Sequence, residues 1–267
     1  HVPEDFPGRV ATDFPELLGI VKQHVKPERD KLGRTPSAQG YKKFWWLFAR
    51  NAKGMFHAIG RGDAFIRHPV GWIPSSPRTQ VICLAQISKY LLPALVPSDI
   101  VYSHRLVVFS NGVGAMFALL QSSIHEAWAR KQAATLETRL SYTPTDAFET
   151  FPMPPLLSSG GDLETLGLEY SSIRKDLCRK TSCGLTELYN AFHHPGRTDS
   201  GIEQLREIHS RIDNQVVHAY GWSDLQLNHG FHEVPYLPEN DRVRFTISET
   251  ARAKGLWGRA VVVNHAL

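Results

Sequence analysis

The sequence predicts an α+β fold, a mixed β-sheet domain with covering helices followed by a helical C-terminal module, and two patterns carry that expectation. Three β-branched runs lie close together, "QVICLAQI" (80–87), "ALVPSDIVYS" (94–103) and "RLVVFS" (105–110), and a helical run follows them. Beyond residue 156 the apolar residues switch to spacings of three and four and hold them to residue 222.

Each element has its own reason. Phe14, Leu17, Leu18, Val21 and Val25 share one face behind Thr12 or Asp13 as N-cap, which gives a first helix over 12–25. "KPERDKLGRTPSAQG" (26–40) breaks it with Pro27, Pro36 and glycines. "YKKFWWLFARNAKGMFHAIGRGD" (41–63) gathers Phe44, Trp45, Leu47 and Phe48 in one helix-like cluster. "HPVGWIPSSPRTQ" (68–80) is too rich in Pro, Gly and Ser for regular structure and reads as a long loop, a kind that is often functional. After the three strands comes a helix over 113–134 with Phe117, Leu120, Ile124 and Trp128 on one face, then "TLETRLSYT" as a further strand. Strands alternating with a helix argue a mixed sheet covered by helices. "SYTPTDAFETFPMP" (141–154) crowds turn formers, aromatics and prolines and reads as a hinge between two packed bodies. Past it, Leu163, Leu166, Tyr170, Ile173 and Leu177 build one amphipathic helix. Ile202, Leu205, Ile208, Ile212, Val216 and Tyr220 build another that stops at Gly221, with "LTELYNAFH" as a short helix between them. A Pro-rich stretch, a strand at 243–248 and a last helix close the chain. The expected divisions are a helical connector (1–34), the sheet domain (35–155) and the helical module (156–267).

Hydrophobic residues make up 42% of the 267 and charged residues 21%, a balance that can bury real cores and excludes a disordered chain. No stretch approaches 18 apolar residues and no secretory leader is present, so a cytoplasmic protein with no membrane partner is expected. His1 in place of Met points to a piece of something longer or a processed product. Cys83, Cys178 and Cys183 are odd in number and lack CxxC spacing, which favours small buried or half-buried thiols over a disulfide framework or a zinc site. The formal charge is +4, and basic residues recur from Lys22 to Arg78 with few acids after Asp30. That pattern permits a polyanionic partner and is equally met by a solvated basic face.

Catalytic motifs fail one by one. "VVFSNGVGAMF" places Gly112 and Gly114 between a strand and a helix, but the third glycine of a dinucleotide fingerprint falls on Phe117. "HEAWA" at His125 has Ala129 where a zinc protease needs its second histidine. The C-terminal histidines, His193, His194, His209, His218, His229 and His232, show no diagnostic spacing and read as surface or capping residues. An Asp/Asn-Pro-Pro-aromatic turn, an Asp/Glu-x-Lys nuclease tripeptide and a GxSxG elbow are all absent; only "MPPL" (153–156) has paired prolines.

Longer motifs do point somewhere. "VKPERDK", "WWLFA", "ISKYLLPALVPSDIVYSHRLVVF", "FALLQSSIHEAWARKQAATLETRLSYTPTDAFETFPMP", "GLTELYNAFHHP" and "IEQLREIHSRIDNQVVHAYGW" together resemble the C-terminal part of bacterial adenine-specific DNA methyltransferases of type IIG restriction-modification and phage-defence systems. The resemblance runs with gaps from about Val25 to Trp222. It implies that 35–155 is a target recognition domain and that 156–222 is a helical support beside it. It also implies a double-stranded DNA partner, a methyltransferase catalytic domain in cis, and S-adenosylmethionine bound on that domain, with no cofactor or catalytic residue on this chain. Ala147 stands where family members often carry Cys.

Reading DNA takes Lys and Arg for phosphates and Arg, Gln or Ser on rigid strands and loops for base edges. Lys42, Lys43, Arg50 and Lys53, crowded in one helical segment, are the phosphate candidates; Arg67, Arg78, Gln80, Lys89, Ser103 and Arg105, at strand ends and loop tips, are the base-reading or groove candidates. Trp45, Trp46 and Trp128 are expected in the core rather than as stacking platforms. Two other readings stay open: a separate specificity subunit that docks on a methyltransferase, and a small metal-dependent hydrolase using His125, Glu126 or the C-terminal histidines.

Overall fold

The computed structural model describes residues 11–47, 53–59, 78–110, 114–132, 135–136, 139–155, 161–235 and 237–257. The chain divides into two compact units between Arg78 and Thr79.

The first unit is helical. A 3-10 turn, Ala11–Asp13, leads into α1 (Pro15–His24), α2 (Lys26–Asp30), α3 (Pro36–Lys43) and α4 (Lys53–Ala58). Pro27 and Pro36, expected as breakers, instead sit in the first turns of α2 and α3, where a missing N–H costs nothing. Thr35 caps α3 by accepting the Ala38 N–H at 3.3 Å. The expected helix-like cluster after residue 41 is split. Phe44, at the C-cap of α3, has left helical backbone, and its neighbour rings Trp45 and Trp46 meet edge to face at 5.7 Å. Trp46 is 41% exposed and Trp128 only 4%, so the core expectation holds for the second and not the first.

The second unit carries three small antiparallel sheets. Strand β1 (Gln80–Ala85) is the middle of the first, flanked by β3 (Ala94–Pro97) and β4 (Leu106–Phe109). Its side chains from Val81 to Leu84 are all buried, which is why the run reads apolar throughout rather than alternating. Strand β2 (Ile87–Ser88) pairs with β6 (Arg139–Ser141), which also pairs with β5 (Thr135–Leu136). The third sheet, β7 (Gly230–Glu233) on β8 (Val243–Thr246), supplies the expected strand at 243–248 with a partner the sequence pattern did not show.

The expected helix over 113–134 is two helices, α5 (Gly114–Gln121) and α6 (Ser123–Gln132). Ser122 makes the break: its Oγ donates to Leu119 O at 2.7 Å and accepts the His125 N–H at 3.1 Å, so it ends one helix and caps the next. Helices α7 (Asp162–Thr181), α8 (Leu185–Phe192) and α9 (Ser200–Ala219) follow, with α10 (Glu249–Arg252) near the end. Helix α5 crosses α7 with backbone touching backbone. A Cβ on Gly167 would lie 2.2 Å from Gly114 O, and one on Gly114 would lie 2.5 Å from Glu164 O, so only glycine fits at either place. Gly221, at φ +73°, lets the chain leave α9.

The stretch 141–154 is no hinge. Tyr142, Ala147 and Phe151 are buried in one apolar core that runs from Ile82 in β1 through α5 to Leu205 and Trp222. Phe151 packs on His125, Trp128 and Tyr220, and Tyr220 donates its hydroxyl to Pro152 O at 2.6 Å. A segment whose aromatics are fixed on both sides cannot let the sides move apart.

Candidate nucleic-acid interface

Register gives the first sheet its working feature. Gln80 pairs with Pro97 at one end of β1 and Ala85 with Leu106 at the other, so the segment 98–105 must travel the length of the sheet to join β3 to β4. Its backbone is pinned along the way. Ser98 N–H donates to Thr79 O, the buried Tyr102 donates its hydroxyl to Pro97 O at 2.7 Å, Ser103 Oγ accepts the Arg105 N–H at 3.2 Å, and Arg105 O accepts the Gln86 N–H at 2.9 Å. What the loop turns outward is Asp99, Ile100, Val101, Ser103, His104 and Arg105, with Val101 62% exposed. A loop held this way presents side chains without the ordering cost of a free one.

Gln86 joins this sheet to the second. While its N–H goes to Arg105 O, its carbonyl accepts the Tyr142 N–H at 2.7 Å, directly after β6. The loop 98–105 and the β5–β6 hairpin therefore hang on adjacent backbone. Arg139, in that hairpin, is exposed. Behind them His125 is fully buried, its Nε2 3.0 Å from the Tyr142 hydroxyl, and burial pushes its pKa down to about 3. A neutral, enclosed imidazole beside buried Ala129 has no access to substrate or metal.

The sequence candidates scatter. Gln80, Ser103 and Arg105 lie exposed at ends of the first sheet or on its crossing loop. Ser103 spends its Oγ on the turn. Lys89 is half-buried and committed: its Nζ sits 2.8 Å from Asp241 Oδ1 and 3.1 Å from Asn190 Oδ1. Burial works against its charge, but the Asp241 carboxylate and Tyr90 outweigh that and raise its pKa. Lys42 and Lys43 occupy the last turn of α3, favoured there by the helix dipole, with Lys43 Nζ 5.3 Å from the Phe44 ring centre. Lys53 begins a separate helix and does not share a helical segment with Lys42 and Lys43. Arg78 closes the first unit, its N–H on Ile59 O at 3.1 Å. Arg50 and Arg67 lie outside the described residues. His104 and Arg139 were missed, since nothing in the sequence places the hairpin next to the loop.

The C-terminal histidines correct another expectation. His209 is buried, with Nε2 2.9 Å from Ser123 Oγ and 3.6 Å from the fully buried Asp213. His229 Nε2 meets Asp213 Oδ2 at 2.9 Å, and Asp213 Oδ1 accepts the Ser123 N–H at 2.8 Å. The Ser, His and Asp side chains look like a catalytic triad by composition only. One ring nitrogen of His209 faces both partners, the other is buried without one, and Ser123, His209 and Asp213 are all buried. Its work is structural: a carboxylate on α9 caps the start of α6.

Comparison with known proteins finds a similarity over this part of the chain. Residues 74–155 match the family described as "MmeI, target recognition domain". That segment is similar to an MmeI-type target recognition domain. Over 132 residues, 49% of the chain, it is 27% identical to "DNA methyltransferase A" of Bacillus subtilis (strain 168), of which those residues are 14%. Its fold matches 28% of the type IIL restriction-modification enzyme MmeI, solved in complex with DNA, with a TM-score of 0.56 over 97% of this chain and 17% identity. The chain thus spans a small part of either relative. The matched segment runs from residue 74 to residue 155. The pinned loop, the β5–β6 hairpin and both sheets around Gln86 all fall inside it. Charge does not. Residues 79–155 hold five Lys and Arg against five Asp and Glu, whereas residues 1–78 hold 13 against 7.

Proposed function

We propose that this chain is the sequence-reading region of an S-adenosylmethionine-dependent adenine-N6 DNA methyltransferase of a restriction-modification or phage-defence system. It selects the adenine that a catalytic domain in cis flips and methylates. The observation that carries the reading is the coincidence of the family match over 74–155 with the rigid sheet whose crossing loop faces outward. Arg105 with the neighbouring His104, Gln80 at the opposite end of the sheet and Arg139 on the β5–β6 hairpin are the residues we assign to base edges, and Lys42 and Lys43 those we assign to phosphates.

Exchanging residues 74–155 for the corresponding domain of an MmeI-type methyltransferase, then mapping methylated adenines on plasmid DNA, tests it. The methylated sequence should change to that of the donor domain. An active chimera that methylates its original sequence would overturn the assignment. Titration of the chain alone with S-adenosylmethionine should give no heat, and tight binding would overturn the division of labour.

No helix among the described residues is long and apolar enough to cross a membrane.

A further inference from the structure

Helix α7 ends in a turn that sets two thiols side by side. Its C-cap residue Ser182 takes left-handed backbone at φ 52°, and the Cys183 N–H bonds back to Cys178 O at 3.0 Å. This terminal hydrogen-bond pattern brings together the side chain from the last turn and the one just past the left-handed residue, a contact ordinarily made by two apolar groups. Here both are cysteines. The residue spacing matches no cysteine motif, so only the turn reveals the pair.

The pair is accessible. Both cysteines are half-buried and line a groove of about 470 Å³ between Ala94–Leu95 of β3 and the α7–α8 corner, with Arg174, Lys175 and Arg179 along its wall. Cys183 also borders a second groove of about 420 Å³ across the corner. The Thr181 hydroxyl lies 3.1 Å from Cys183 Sγ and 2.7 Å from Leu177 O, so its one proton can turn to the sulfur when the sulfur becomes charged. Cys83 is the internal contrast: it is buried in β1, and burial pushes its thiol up to about 11.

We propose that Cys178 and Cys183 are a peroxide-oxidisable dithiol that closes to a disulfide across the end of α7. The Cys183 thiolate attacks one oxygen of hydrogen peroxide; an S–O bond forms, the O–O bond breaks, and the departing hydroxide takes a proton to become water. The Cys178 sulfur then attacks the sulfenic sulfur of Cys183; an S–S bond forms, the S–O bond breaks, and hydroxide leaves with the Cys178 proton as a second water. Two thiols lose two electrons and two protons, and one peroxide becomes two waters. The bridge would span the single turn that the Cys183 N–H to Cys178 O bond closes. Closure staples a corner that is tied to the sheet, because Arg174, one turn before Cys178, donates to Pro93 O at 2.5 Å and Gln121 Oε1 at 3.0 Å.

The test treats the reduced full chain with a small excess of hydrogen peroxide, then reads intact mass, thiol content in denaturant and a tryptic map. The expected product is lighter by about 2 Da, has lost two of its three titratable thiols and regains them with dithiothreitol. Trypsin cuts after Arg179 and Lys180, so the bridge should appear as two peptides joined through Cys178 and Cys183. Cys83→Ser should leave all of this unchanged, and Cys183→Ser should abolish the mass loss. Oxygen additions without a joined peptide, a bridge between two copies of the chain, or a mass loss that survives Cys183→Ser would each overturn the proposal. The wild-type peptide map decides the matter even if a variant fails to fold.

Discussion

Replacing Asp213 with Ala should unfold a junction that the sequence does not advertise. Its carboxylate is fully buried and holds the Ser123 N–H at 2.8 Å and His229 Nε2 at 2.9 Å, with His209 Nε2 3.6 Å away. Removal leaves two buried donors unpaired, at about 1–3 kcal/mol each. The total, about 2–6 kcal/mol, spans the roughly 3–5 kcal/mol cost of removing one partner of a buried charged pair. That is a large share of a domain stability of roughly 5–15 kcal/mol. Asp213→Asn keeps an oxygen for the Ser123 N–H and gives up the charge, so it should cost about half as much. Burial opposes ionisation of Asp213, but His209, His229 and the Ser123 N–H outweigh it and hold its pKa below the ordinary carboxylate value. A depressed carboxylate stabilises the fold above its unfolded pKa, and the contribution is lost as pH falls through the lower folded value. The assay is urea unfolding at pH 7, followed by the fluorescence of buried Trp128 and Trp222. With a slope of about 1–3 kcal/mol per molar, the midpoint should drop by more than a molar. A loss under about 1 kcal/mol for Ala, or equal losses for Ala and Asn, would refute the carboxylate as the tie between α6 and α9.

Three further outcomes follow. Burial lowers the pKa of His125 to about 3 and also lowers those of His193 and His209, so their contribution is complete above about pH 6.5 and is lost as pH falls toward the folded values. Stability should therefore decline by about 1.4 kcal/mol per pH unit for His125 between pH 6 and 4, with further loss in the same direction from the other two, and a flat urea midpoint over that range would contradict it. Gly167→Ala gains up to about 1 kcal/mol of helix propensity yet should still lose about 1–3 kcal/mol net from the forced separation of α5 and α7, and an unchanged melting temperature would show the crossing to be looser than the 2.2 Å approach implies. Lys42→Gln with Lys43→Gln should flatten the dependence of log affinity for duplex DNA on log salt by about 0.9 per lysine, and an unaltered slope removes both from the interface.

Local patterns were legible where one segment decides its own structure. β1, α7 and α9 follow from their apolar spacing, and the end of α9 from Gly221. What failed depended on partners far along the chain. The break at Ser122 looks like ordinary polar residues in a helical run, because the carboxylate capping the second half lies 90 residues away. β8 could be read and β7 could not, since "GFHE" has no strand pattern apart from its partner. His209 and His229 read as surface residues because histidine spacing says nothing about a buried aspartate between them. The candidate site shares this limit: Arg105 was reachable as a polar residue at a strand end, whereas its adjacency to the β5–β6 hairpin exists only through the two backbone bonds of Gln86.

The separation of charge from the recognition sheet bears on how such a region divides affinity from specificity. Phosphate attraction scales with net positive charge and is screened by salt, while base-edge hydrogen bonds and apolar groove contacts are short-ranged and weakly screened. Residues 79–155 balance five cations with five anions, so their field offers duplex DNA little long-range attraction. Their loop instead projects a mixed set, Asp99, Ile100, Val101, Ser103, His104 and Arg105, each able to discriminate at close range. The surplus of six positive charges in residues 1–78 is where salt-dependent attachment can originate. A carboxylate beside an arginine on a reading loop is costly against a phosphate and useful against a cytosine amino group, which makes balance in the sheet an expected property of a reader. Substitutions in the loop should then change which sequence is bound and leave the salt slope alone, and substitutions in the basic segment should do the reverse.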